Sequence, residues 1–198
     1  MSAGSLNTRE SQIPEPNVTR FFFADTRMAP VWLLVRVYLG YLWFMAGFGK
    51  LSEPGWITGE SGAAVAGFAQ GAIQQTTGEH PQVTGWYAGF LENVVVPNAA
   101  IFAYLVTFGE ILVGLALITG LATGIAAFFG GLMNASFIFA GTAGVNPLMF
   151  ILAILLTLSW RVAGYWGLDR WVLPAIGVPG YPGTLFSGRA EGQRSRVK

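Results

Sequence analysis

The stretch AAIFAYLVTFGEILVGLALITGLATGIAAFFGGLMNASFIFA, residues 99–140, carries a single charged residue, Glu110. About 20 apolar residues in a helix cross the hydrocarbon core of a bilayer. The stretch is therefore long enough for two crossings, Ala99–Thr119 and Leu121–Ala140. Between them stands little more than Thr119-Gly120, and so short a link makes the two helices antiparallel neighbours.

The same reading extends in both directions. Upstream, Pro30–Gly49 is apolar and interrupted only by Arg36. Downstream, Asn146-Pro147 opens a fourth run that reaches Trp160 or slightly beyond, with asparagine as the expected cap and proline in the first turn. Gly141–Val145 links runs three and four. The expected fold is an all-α membrane protein, a four-transmembrane-helix up-down bundle with an outer loop carrying interfacial helices. Its spans lie at about 30–50, 99–119, 121–141 and 147–163 within a membrane domain 29–175. A leader (1–28), the outer loop (51–98) and a basic tail (176–198) complete the chain.

Composition agrees with that class. Charged residues make up 11% of the chain and the hydrophobic set 53%, whereas soluble domains carry about a quarter charged residues. Charge is also segregated by sign. Residues 51–160 contain no Lys or Arg, and the segment Leu51–Asn98 carries Glu53, Glu60, Glu79 and Glu92. Basic residues are held on the cytoplasmic side, so both termini are expected in the cytoplasm and the long loop outside. Arg189, Arg194, Arg196 and Lys198 form a tail suited to anionic lipid, and no nucleic-acid surface is expected. The first apolar run begins near Ala29, behind a polar leader with Arg9, Arg20 and Arg27, so a cleavable signal peptide is not expected.

Two absences remove whole mechanisms. Without cysteine the chain has no disulfide exchange, no iron–sulfur ligation and no thiol nucleophile. With one histidine, His80, it holds neither a bis-histidine haem nor a His-rich metal site, so no metal ligands are assigned. His80 itself stands beside Pro81 and reads first as a surface loop residue.

The outer loop is too long and apolar for a linker. Ala63–Gln75 reads as a weak helix of small residues, and Trp86, Tyr87, Phe90, Leu91 and Val94 recur at helical spacing. An amphipathic piece in the outer interface follows, serving either as a cap on the bundle or as a lid over a site open to the outside. Trp160, Tyr165, Trp166 and Trp171 form the matching inner aromatic belt.

Polar residues at bilayer depth are candidate functional residues, because a charge there costs several kcal/mol unless paired or wetted. On the first span Arg36, Gly40, Trp43, Gly47 and Lys50 follow at steps of four, three, four and three, which is one helix face. Its glycines admit either a neighbouring backbone or a flat ligand. Thr107, Glu110 and Gly114 share a face of the second span, and Gly124, Ala127, Gly131 and Asn134 one of the third. Counted at 1.5 Å per residue, Arg36 lies about 9 Å and Glu110 about 14 Å above the inner edge. They are within reach of a buried ion pair, with Arg161 as a competitor, and such a pair either does chemistry or fixes helix register. Asn134 reads as an interhelical hydrogen bond or a ligand contact, and Lys50 as an interface anchor or a ligand contact.

These residues resemble a known family. Arg36-Val-Tyr-Leu-Gly40-Tyr-Leu-Trp-Phe44-Met-Ala-Gly47-Phe-Gly-Lys50 looks like the opening signature of DoxX/DoxD proteins. Glu110 followed by Gly114 resembles the second-span motif, and Gly164-Tyr-Trp-Gly-Leu168-Asp169-Arg170 the terminal glycine-rich Leu-Asp element. The family usually has serine where Gly167 stands, which leans toward the DoxD-like branch. The likeness covers residues 30–175 or so. It implies a four-span protein of a prokaryotic cell membrane. Some members are described as the membrane subunit of thiosulfate:quinone oxidoreductase, others belong to redox-stress complexes.

The resemblance implies a membrane subunit passing electrons from thiosulfate or a redox partner to quinone. Arg36 and Glu110 are its candidate catalytic pair. Gly40, Trp43, Gly47, Lys50, Thr107 and Asn134 are its candidate substrate or quinone contacts. Quinone is the expected acceptor, and a second subunit, a soluble redox protein or further copies of the chain are the expected partners in the bilayer. Two alternatives stay open: a non-catalytic scaffold of a respiratory or redox-stress complex, and a small membrane carrier.

Overall fold

The computed structural model describes residues 16–178, and the basic tail from Arg189 onward lies outside them. All regular structure among the described residues is helical. The helices are α1 (Asn17–Ala24), α2 (Ala29–Ser52), α3 (Ala63–Gln74), α4 (Gly85–Phe90), α5 (Ala99–Thr119), α6 (Thr123–Phe139), α7 (Asn146–Leu158), α8 (Trp160–Ala163) and α9 (Asp169–Ala175). Two continuous helical runs, Thr26–Ser52 and Gly85–Thr119, are long and apolar enough to cross a membrane, with mean hydropathies of 1.5 and 2.2. Helices α6 and α7 are apolar but shorter.

The outward faces identify the solvent. Leu34, Leu105, Leu112 and Ile125 are 61–71% exposed, and Phe108, Phe128 and Ile151 are exposed as well. So many large apolar side chains turned outward on these helices suit a hydrocarbon surround. Apart from Thr107 and Glu110 on its inner face and Thr119 at its end, α5 is apolar all round, which suits hydrocarbon.

The interior divides into two apolar clusters. One joins α2, α5, α6, α7 and α8 through Trp32, Leu39, Trp43, Val113, Leu117, Ala127 and Leu156. The other joins α3 and the α4 region to the start of α5 and the end of α6 through Ala69, Tyr87, Leu91, Ala103 and Ala140. The loop helices are thus packed into the molecule, and Tyr87 Oη donates to Ser136 O across 2.8 Å. From α4 the chain continues without a break through a π turn (Leu91–Val95) and a 3-10 turn (Val96–Asn98) into α5.

Several local details differ from the sequence reading. Asn146 is not a cap, because its side chain donates to Thr142 O at 3.3 Å and no side-chain cap bond is made. The fourth apolar run breaks after Leu158, where Ser159 Oγ bonds back to Leu155 O at 2.8 Å, a back-bond that competes with the helix ladder. On the N-terminal side α1 is tied to α2, since Trp32 Nε1 donates to Phe22 O at 2.7 Å and Phe23 stacks on Trp32.

Candidate functional site

Glycine sets the register of the central helix pair. Helices α2 and α5 run antiparallel and approach closely at their glycines. A methyl added to Gly40 would meet Leu117 Cβ at 2.9 Å, and one added to Gly47 would meet Thr107 O at 2.8 Å and Glu110 Cβ at 2.9 Å. From the other side, a methyl on Gly114 would strike Phe44 Cα at 2.7 Å. Of the two uses open to these glycines, the structure shows close approach of a neighbouring backbone. Such contacts let dispersion hold apolar helices together where hydrocarbon offers no hydrophobic drive.

That register decides the ion pairing. Gly47 faces Glu110, so Lys50, one turn further along α2, reaches the carboxylate, and its Nζ donates to Glu110 Oε2 at 2.7 Å. The Glu110 side chain is 2% exposed and that of Lys50 is 16%. Lys50 also donates to Ala46 O at 3.2 Å and lies 4.8 Å from the centroid of the Trp56 ring. Trp56 is held in place by a tight turn, its carbonyl accepting from Gly62 N at 3.0 Å and Ser61 Oγ at 3.2 Å. Gly62 adopts φ 90° and presses on the start of α5, where a methyl would lie 2.7 Å from Ala100 Cα. The pair is therefore buried on the Glu110 side and covered by an aromatic ring near the surface.

The expected Arg36–Glu110 pair does not form. Arg36 faces the opposite end of α5, beyond Gly40, where Nη1 donates to Leu117 O at 2.7 Å and Ile118 O at 3.2 Å and Nη2 to Trp166 O at 3.3 Å. Counting depth from span edges puts Arg36 and Glu110 close, but the glycine contacts slide them apart. Nor does Arg161 compete, for it is exposed and its guanidinium lies 5.5 Å from the Trp160 ring centroid.

Arg36 is instead half of a device at the α5–α6 turn. The last carbonyls of a helix carry partial negative charge and the first N–H groups of the next carry partial positive charge. Arg36 meets the former. Asp169, 3% exposed, meets the latter, its Oδ1 accepting from Ala122 N at 2.6 Å and its Oδ2 from Thr123 N at 2.8 Å. Leu168 N to Thr119 O (3.1 Å) and Asp169 N to Gly120 O (2.8 Å) fasten the same segment to the turn. Gly167 lies so close that a methyl there would meet Gly120 Cα at 2.7 Å. In the sequence Asp169 stands out only as part of the Gly164–Arg170 motif. Its signal was an acid among glycines just past an apolar run.

The remaining candidates lie between the two ends. Trp43, Thr107 and Asn134 are 2%, 0% and 0% exposed. Trp43 Nε1, Thr107 Oγ1 and both amide atoms of Asn134 have no hydrogen-bond partner among the described residues, so the interhelical bond expected of Asn134 is not made. His80 is exposed in its loop.

The chain matches the family model DoxX over residues 31–143. Neither a curated protein nor a solved structure matches it. The matched region runs from α2 through α6 and includes the Lys50–Glu110 pair, the α2–α5 glycine contacts and the Leu117 and Ile118 carbonyls that hold Arg36, while Trp166 and Asp169 lie beyond it. More than half of the chain is covered, and it belongs to the DoxX family of membrane proteins.

Proposed function

We propose that this protein is the membrane-embedded subunit of a redox system, of the DoxD-like branch, that delivers electrons from thiosulfate or a redox partner to quinone. Its four apolar segments, α2, α5, α6 and α7–α8, would cross a prokaryotic cell membrane with both termini in the cytoplasm. The observation that carries the reading is the Lys50–Glu110 pair: a carboxylate buried at span depth, joined to a cation that touches the surface under Trp56. Quinone reduction consumes protons, and a carboxylate with a partly solvated cationic partner can hold one and pass it on. The chain has no cysteine and keeps its one histidine in an exposed loop, so electrons would pass directly between substrates or arrive from a partner.

On this reading a quinone would act at one end of α2. Backbone of α5 fills the glycine face of α2, so no ring enters there, and the Lys50 end is where a quinone carbonyl would meet a donor. Arg36 takes no part in that step. The test is thiosulfate-dependent quinone reduction by the purified protein, alone and with co-purifying subunits. Glu110→Gln is expected to abolish turnover while the protein stays folded; unchanged turnover in that variant rules the pair out of the mechanism.

A second reading, a non-catalytic scaffold subunit, is favoured by the Arg36–Asp169 device, which joins three segments of chain and engages both charges with backbone groups. Stable co-purification with a redox partner, with no quinone reduction by any combination of subunits, would select it.

A further inference from the structure

The fully buried apolar residues of the two clusters are separated along α5 and α6. On α5 one cluster ends at Ala103 and the other resumes at Val113, and between them face Thr107 and Glu110, both buried. On α6 the Ala126–Ala127 pair belongs to one cluster and Ala140 to the other, and between them lie Gly130, Gly131 and Asn134, also buried. Trp43 of α2 reaches the same level from the third side. Its Nε1 lies 3.0 Å from where a methyl on Gly130 would stand, one helical turn from Asn134. Gly47, the next turn of α2, covers Thr107 and Glu110. Buried polar groups on three helices therefore form a layer between the fully buried residues of the two clusters, with Met133 and Phe137 packed against the first cluster from the same stretch of α6.

The layer is not satisfied by protein. Trp43 supplies one donor, Thr107 a donor and acceptor, and Asn134 two donors and an acceptor, and none of these finds a partner among the described residues. Buried polar groups in folded proteins are almost always hydrogen-bonded, and where protein offers no partner, ordered water does. A buried water typically makes about three hydrogen bonds, which suits groups set on three different helices. By contrast Trp32, 6% exposed in the same cluster as Trp43, has its indole N–H on Phe22 O.

We propose that this layer is a site for ordered water, which links Trp43, Thr107 and Asn134 to the Glu110 carboxylate. The layer would be a one-sided hydrated recess, reached past Lys50 and closed toward Arg36 by Leu39, Leu117 and Leu156, all 0% exposed. The inference does not depend on the redox reading. It would hold equally for a scaffold, and its test reads water rather than turnover.

The experiment is X-ray radiolytic hydroxyl labelling of the full chain in lipid nanodiscs, read by mass spectrometry. Radicals form from bound water, so a buried indole beside water is oxidised and a dry one is not. Trp43 is expected to be modified severalfold faster than Trp32, and its modification to fall to the Trp32 level in Asn134→Leu. Thr107→Val, nearly isosteric and therefore the safer variant for folding, separates the alternatives a second way. If water bridges Thr107, the variant melts at a lower temperature and labels Trp43 more slowly. Protection of Trp43 equal to that of Trp32 in the unsubstituted protein, or a melting temperature raised by Thr107→Val, overturns the proposal.

Discussion

Lys50 Nζ lies 2.7 Å from Glu110 Oε2, and this contact follows from the glycine at position 47 rather than from the charges themselves. Gly47 lets α2 lie against Thr107 and Glu110, and one further turn brings the ammonium to the carboxylate. Packing sets the register and the ions conform to it.

Removing one partner should therefore be worse than removing both. Lys50→Met leaves Glu110 buried without a cation, and breaking a buried pair in this way costs about 3–5 kcal/mol. Lys50→Met with Glu110→Leu should recover most of that loss, since apolar replacements of a buried pair are often neutral or stabilising. Unfolding by SDS titration in mixed micelles, over the full double-mutant cycle, measures it. Additive losses would show that the two residues are not coupled.

The glycines of α2 should differ sharply although they are two residues apart. A methyl at Gly47 meets backbone and Cβ atoms at 2.8–2.9 Å, whereas one at Gly49 meets nothing within 4 Å. Gly47→Ala is expected to lose about 1–3 kcal/mol through overpacking, and Gly49→Ala to gain about 0.5–1 kcal/mol through helix propensity. Equal stabilities in the same SDS assay would mean that α2 and α5 do not pack through this face.

The stripe on α2 was legible because helical phase is a local property. Arg36, Gly40, Trp43 and Gly47 are all buried, and Lys50 is half-buried at their end, as steps of four and three require. Which cation meets Glu110 was not legible, since it depends on how far α2 slides along α5, and span edges do not report that. Close backbone contacts do, but sequence alone cannot say whether a glycine faces a helix or a ligand. Asp169 was harder still. Its partners, the N–H groups of Ala122 and Thr123, lie 46–47 residues away, a pairing set by the closing of the chain on itself. That Asn134 and Thr107 find no side-chain or backbone partner among the described residues depends on which groups the other helices turn toward them, and no residue pattern encodes that.

At the α1–α2 turn the Arg27 guanidinium hydrogen-bonds the Asp25 carboxylate at 2.6–3.0 Å and holds its pKa down at about 2, against an ordinary 3.8. A folded-state pKa below the unfolded one means that the contribution of this contact is complete above pH 3.8 and is lost as pH falls through about 2. In Arg27→Met the Asp25 carboxyl should titrate above about 2 but short of 3.8, measured by its carbon-13 shift, because the backbone N–H of residue 27 still donates to Oδ1 at 2.9 Å. An unchanged midpoint would assign the depression to another source.

The Arg36–Asp169 device yields the last prediction. Ala122 is the one non-glycine with positive φ among the described residues, at 50°, a conformation that costs an L-residue about 1–2 kcal/mol. Asp169 holds it there, because Oδ1 accepts the Ala122 N–H and Oδ2 that of Thr123. Asp169→Ala removes two hydrogen bonds to a charged acceptor at a helix N-terminus, so the loss should reach several kcal/mol, at about 1.5–3 kcal/mol each. Ala122→Gly should raise stability by about 1 kcal/mol in the unsubstituted protein by relieving the strain. In an Asp169→Ala background the turn is free to relax, so the same glycine should gain less. Thermal unfolding of the four proteins in one detergent measures the difference. An equal gain in both backgrounds would show that Asp169 does not hold the turn in its strained form, and that its carboxylate serves only to neutralise the start of α6.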